Sequence, residues 1–104
     1  MNDEINDKKK YISRVYTNYL ELWATPKFLD NWKHLKVLSL SNNQLTEINL
    51  SEKVELTELY LSKNQIKNID LSNNPKLEII YIGNNHLKGI DVGSLLSLKV
   101  LSLS

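Results

Sequence analysis

The chain has 104 residues, 41% of them hydrophobic and 24% charged, the balance of one soluble globular domain with no sign of disorder. Thirteen basic against twelve acidic side chains leave a formal charge of +1, so no overall field draws in nucleic acid, an anionic membrane or an acidic substrate. Cysteine is absent, which excludes disulfides, thiolate catalysis and cysteine metal sites.

Met1 to Lys10 is polar and lacks the apolar core of a secretory signal, and no apolar run is long enough to span a bilayer; both favour the cytoplasm. Between residues 5 and 23, Ile12, Val15, Tyr16, Tyr19, Leu20, Leu22 and Trp23 recur at spacings of three and four, which predicts an amphipathic helix with Asp3, Glu4 or Asp7 in its first turn. Thr25 and Pro26 end it and open a short second helix with Phe28, Leu29 and Trp32 on its apolar face. Residues 1–34 are expected to form a helical N-terminal cap over the remainder of the chain, with Lys8, Lys9 and Lys10 solvated at its polar start. The competing reading gives the aromatic helix to a partner or a membrane surface.

From residue 35 a unit of 21 residues repeats without insertion. One copy places Leu35, Leu38, Leu40, Asn43, Leu45 and Ile48; the next Leu56, Leu59, Leu61, Asn64, Ile66 and Ile69; the third Leu77, Ile80, Ile82, Asn85, Leu87 and Ile90; a fourth begins with Leu98, Leu101 and Leu103. The alternation within L-x-L predicts a short strand with leucines inward and their neighbours outward, and stacked copies make a parallel sheet. Twenty-one residues are too few for a full helix and two loops, so the return must be extended or a turn. Asn43, Asn64 and Asn85, each carrying both donor and acceptor, read as structural side chains that satisfy backbone groups at the bend.

The pattern L-x-x-L-x-L-x-x-N-x-L resembles the leucine-rich repeat family, in its short bacterial variety, over residues 35–104. The resemblance implies an α/β solenoid: a helical N-terminal cap followed by a curved parallel β-sheet of about four strands with an extended or turn-like convex side. It also implies a non-enzymatic module that binds a protein on the concave face. The outward columns there are Val37, Glu58, Ile79 and Val100, then Ser39, Tyr60, Tyr81 and Ser102, with Ser41, Ser62, Gly83 and Ser104 alongside. Paired tyrosines among β-branched and small residues suit a contact surface. The plain alternative is that Tyr60 and Tyr81 only stack on each other and the chain is a scaffolding fragment of a longer repeat protein.

Nothing in the sequence supports catalysis, a cofactor or a metal. His34 and His86 have no acid and nucleophile implied by spacing and read as surface histidines; Asp70, Asp91 and the equivalent Asn49 read as side chains bonding their own turns. Lys53, Lys63, Lys67, Lys76 and Lys88 mix with Glu47, Glu52 and Glu55 as on a solvated surface, and too few basic residues surround the tyrosines for nucleic acid. The fourth unit stops at Ser104, before its asparagine. An open end comprising Leu95, Leu96, Leu98, Leu101 and Leu103 is expected to mediate self-association as a homodimer, unless the chain is a fragment or the last strand frays.

Overall fold

A computed structural model describes residues 12–22 and 27–104. Five short strands, β1 (Arg14–Tyr16), β2 (Val37–Ser39), β3 (Glu58–Tyr60), β4 (Ile79–Tyr81) and β5 (Val100–Ser102), form one parallel sheet in chain order. From β2 onward the register advances by one repeat per strand, Val37 beside Glu58, Glu58 beside Ile79 and Ile79 beside Val100. The leucines at the strand centres and flanks point into a single core: Leu35, Leu38, Leu40, Leu45, Leu56, Leu59, Leu61, Ile66, Leu77 and Ile80 are fully buried. Burial of this kind contributes about 1.5–3 kcal/mol per large side chain and is the main term holding a stack of units too small to fold alone.

Over residues 12–22, the described part of the helix expected over residues 5 to 23, there is no helix. Arg14–Tyr16 is a strand, paired with β2 through Val15 beside Leu38, and no α-helix occurs among the described residues. Residues 5–11 and Trp23 lie outside them, as do Thr25 and Pro26. The physical reason is that L-x-x-L opens this repeat as well as a helical face: Ile12, Val15, Thr17 and Leu22 occupy the places of Leu35, Leu38, Leu40 and Leu45, in a first turn two residues longer than the others. Thr17 in a leucine place and Leu20 in the asparagine place disguise it. Tyr16 and Tyr19, assigned to an inward helical face, are 58% and 74% exposed. The expected second helix is a five-residue 3-10 turn, Lys27–Asn31. Val15 and Leu29 nonetheless join the core, with Ile12, Leu22 and Trp32 packed against it, so this segment covers the first leucine turn with a strand instead of a helix.

The returns are turn-like, as the repeat length requires. In each, two successive i to i+3 bonds carry the chain round: Lys53 N–H to Leu50 O and Leu56 N–H to Lys53 O, Asn74 to Leu71 and Leu77 to Asn74, Leu95 to Val92 and Leu98 to Leu95. Asn49, Asp70 and Asp91 each accept a hydrogen bond from the N–H two residues on, in Ser51, Ser72 and Gly93, the turn role read from the sequence. The Ser72 hydroxyl and N–H hold the Asp70 carboxyl below its ordinary value.

The asparagines bind neighbouring turns together. Asn64 Nδ2 donates to Leu61 O in its own turn and to Leu40 O one turn back, both at 3.0 Å, while its Oδ1 accepts from Leu45 N–H. Asn85 repeats this with Ile82 O, Leu61 O and Ile66 N–H. Asn43 extends the ladder to the first turn through Thr17 O and the N–H groups of Leu20 and Leu22. Buried Asn74 and Lys53 form a second, shorter ladder on the returns: Asn74 Nδ2 donates to Leu50 O and Lys53 O, and Lys53 Nζ to Leu29 O at 2.6 Å. Burial holds the Lys53 ammonium below its ordinary value, with Asp30 opposing.

Immediately before each ladder asparagine the backbone turns left-handed, at Asn42 (φ 59°), Lys63 (φ 60°) and Asn84 (φ 56°), and at Tyr19 (φ 62°) in the first turn. Asparagine adopts this region at lower cost than lysine, whose longer side chain offers no local hydrogen bond to offset its Cβ clash. Lys63→Asn, which copies the other two repeats, is expected to raise stability by about 0.5–1 kcal/mol, read as a higher melting temperature with no change in fold.

Candidate functional site

The sheet presents outward side chains in two columns fixed by the register: Arg14, Val37, Glu58, Ile79, Val100 and Tyr16, Ser39, Tyr60, Tyr81, Ser102. Depth along these columns is uneven. Val37 and Ser39 are only 2% and 5% exposed, so neither is available to a partner. β2 lies between β1 and β3, whose larger residues Arg14 and Tyr16, Glu58 and Tyr60 flank the smaller pair, and the Ser39 hydroxyl is engaged with Asn18 Oδ1 at 2.9 Å. Glu58, Tyr60, Ile79 and Ser102 are half-buried; Tyr81 and Val100 are 40% and 39% exposed. β1 adds Arg14 and Tyr16, which the helical reading of residues 5–23 had hidden; the signal that would have found them is the repeat aligned on Val15.

Tyr60 and Tyr81 stack, with centroids 5.4 Å apart and ring planes at 18°. The Tyr60 hydroxyl donates to Glu58 Oε1 at 2.6 Å, two residues back on the same face of β3. That bond to a carboxylate, then burial, pushes the Tyr60 hydroxyl up to about 12. A raised value means the contribution of this contact is fully present below the ordinary tyrosine value and is lost as pH rises through about 12. A spectrophotometric titration is expected to show one tyrosine ionising that late, and Glu58→Gln to bring it down toward 10.0. In the resting protein the hydroxyl holds Glu58 and the stack holds the ring, so two aromatic faces and one carboxylate are pre-set on the open sheet.

The other sequence candidates fall elsewhere. Of the end set, Leu95 is buried at 5% exposure, Leu98 is half-buried, and Leu96, Leu101 and Leu103 are 93%, 36% and 53% exposed. Gly83 packs against the backbone of Ser104, where a Cβ would come within 1.8 Å of the carbonyl oxygen, so it is a packing glycine and not an opening for a ligand. His34, read as a surface histidine with no acid and nucleophile implied by spacing, is exposed and has an acid beside it: its Nδ1 lies 2.5 Å from Glu55 Oε2, because residues one repeat apart stand side by side. That hydrogen bond is the first cause holding the Glu55 carboxyl below its ordinary value. The pair is exposed, and contacts of this kind contribute little. Among the described residues no three metal-ligating side chains converge, and no helix is long and apolar enough to cross a membrane.

Comparison with known proteins agrees with this architecture. The family model described as "Leucine Rich repeats (2 copies)" matches residues 33–73 and 54–96. A leucine-rich repeat protein of Leptospira interrogans is similar in structure, with a TM-score of 0.85 and 31% identity over 97% of this chain. The functional domain of InlJ from Listeria monocytogenes, which includes a cysteine ladder, gives 0.84 at 22% identity over 92% of this chain, a likeness of fold. The chain spans 27% and 21% of the lengths of those two structures. No curated protein matches it.

Proposed function

The chain belongs to the leucine-rich repeat family, whose fold generally serves protein interaction, and from that premise we propose that it is a non-enzymatic module binding a protein partner on its concave sheet face. The observation that carries the proposal is the stacked Tyr60–Tyr81 pair, braced by Glu58 and flanked by exposed Tyr16 and Val100. Tyrosine supplies large contact area at small entropic cost, and a pre-stacked pair loses little more on binding. Arg14, Ile79 and Ser102 frame the stripe. The test is affinity capture from an extract of the source cells, wild type against Tyr60→Ala/Tyr81→Ala, with Glu52→Ala on the far side as control. Retention of a partner is expected to fall more than about tenfold in the double variant alone. Equal retention by all three proteins would favour the scaffolding alternative.

A second reading concerns self-association. Leu96, at 93% exposure, together with Leu101 and Leu103, leaves apolar surface that a second copy would cover. Leu95 takes no part, being buried. Light scattering at high micromolar concentration decides: a dimer disrupted by Leu96→Ser and Leu103→Ser supports the reading, and a monomer throughout ends it.

A further inference from the structure

On the loops that follow the asparagine ladder, Lys67, Asn68, His86 and Lys88 line an open cleft of about 390 Å³. Every one of these side chains offers an N–H donor, and no carboxylate is among them. The cleft arises from the stacking itself. The His86 N–H donates to Ile66 O at 2.9 Å, which lays one loop against the other, and Lys67 and Lys88 hold the same position in consecutive turns. Parallel backbones stacked about 4.8 Å apart set the two lysines on adjacent turns, lining one cleft.

No acid among the described residues neutralises them, since the ion pairs there are His34–Glu55 and Lys99–Glu78. The acids next along the chain are engaged at home, Asp70 with Ser72 and Asp91 with Gly93. Glu47, one turn back, makes no ion pair with Lys67. In that earlier turn Thr46 and Gln44 stand where Lys67 or Lys88 and His86 stand later, so the charge is concentrated on two adjacent loops.

We propose that the cleft between the Lys67 and Lys88 loops binds a phosphate-type dianion, as the free ion or as a phosphate monoester. Two ammonium groups match a double negative charge, and the Asn68 amide and His86 imidazole supply donors for the remaining oxygens of a tetrahedral group. A monocarboxylate would leave half the charge unmet. No Trp, Tyr or Phe lines the cleft, so there is no stacking platform for a nucleic-acid base. The site is separate from the tyrosine stripe and does not depend on the proposed function.

The test is a ¹H–¹⁵N NMR titration with inorganic phosphate, replacing chloride at constant ionic strength. Saturating shifts confined to Lys67, Asn68, His86 and Lys88 are expected, with affinity weakened about tenfold or more in Lys67→Gln/Lys88→Gln. Both lysines are exposed and outside any ion pair, so the variant is expected to melt no lower than wild type; Lys67→Gln alone serves as a second variant. A parallel arm sediments the protein with phosphatidylcholine vesicles containing phosphatidic acid. Lysine-dependent cosedimentation identifies a lipid headgroup as the source, and saturable phosphate binding without it identifies a soluble phosphate. Linear shifts with no lysine-dependent cosedimentation, or saturation unchanged in the double variant, would overturn the proposal.

Discussion

Asn64→Ala is expected to destabilise the protein by about 3–5 kcal/mol, seen as a lower midpoint of urea unfolding. The side chain is 6% exposed and serves three backbone groups, the carbonyls of Leu40 and Leu61 and the N–H of Leu45. Alanine leaves the Leu45 N–H without a partner, at about 1–3 kcal/mol, and takes one of two amide donors from each carbonyl, Leu40 O keeping Asn43 Nδ2 and Leu61 O keeping Asn85 Nδ2, at about 0.5–1.5 kcal/mol each. A water taking the place of the amide would recover part of this, which keeps the expected cost toward the middle of the range. Asn64→Asp keeps the acceptor but turns a carboxylate oxygen toward the carbonyls of Leu40 and Leu61 in a buried place, and is expected to cost at least as much as alanine. Asn85 holds an equivalent place but is half-buried, so Asn85→Ala should cost less. A loss below about 1 kcal/mol at Asn64 would mean that solvent replaces the ladder and that the leucines alone hold the turns together.

Leu59→Ala is expected to cost about 3–4 kcal/mol, and Leu101→Ala under about 1 kcal/mol, although the two occupy the same repeat position. Leu59 is fully buried between the turns of β2 and β4, whereas Leu101 on the last strand is 36% exposed. Truncation in the middle leaves a cavity walled by Leu38, Ile80 and their neighbours; at the edge it trims surface already wet. Equal costs for the two substitutions would show that the last turn is covered in solution, and would support the dimer.

The strands β2 to β5 were legible because a period of two between leucines has no other good explanation, and 21 residues left only turns for the return. The asparagines were legible for the same reason: an amide recurring at one bend has a backbone to satisfy. The first turn was not. Its opening, Ile12-x-x-Val15, fits a helical face and a repeat strand equally, and Thr17 and Leu20 remove the two residues that would have decided between them. Pairing with β2 settled the matter through long-range hydrogen bonds that no local pattern contains.

Of the candidate site, direction was readable and depth was not. Alternation shows that Val37 and Ser39 point outward, but their burial comes from larger residues on both neighbouring strands, one of them a strand the pattern concealed. The tyrosine stack was visible as a column. The Glu58 brace within β3 depends on side-chain torsions, which repeat arithmetic does not contain. The Lys67–His86–Lys88 cleft follows from the same arithmetic, and becomes distinct from a mixed surface only once the ion pairs show that no acid among the described residues reaches it.

The unbroken 21-residue advance from β2 to β5 makes the chain editable by whole units. Excising residues 56 to 76 would join Glu55 to Leu77, set Asn85 Oδ1 opposite Leu45 N–H, and return a shorter stack with its ladder closed. Yet the same excision would erase the tyrosine pair and the two-lysine cleft together, since each is assembled across the lost unit and its successor. Gain and loss of recognition surfaces in such a chain is therefore a matter of which copies are neighbours, and a duplication or deletion can change what the molecule recognises while every remaining side chain stays the same.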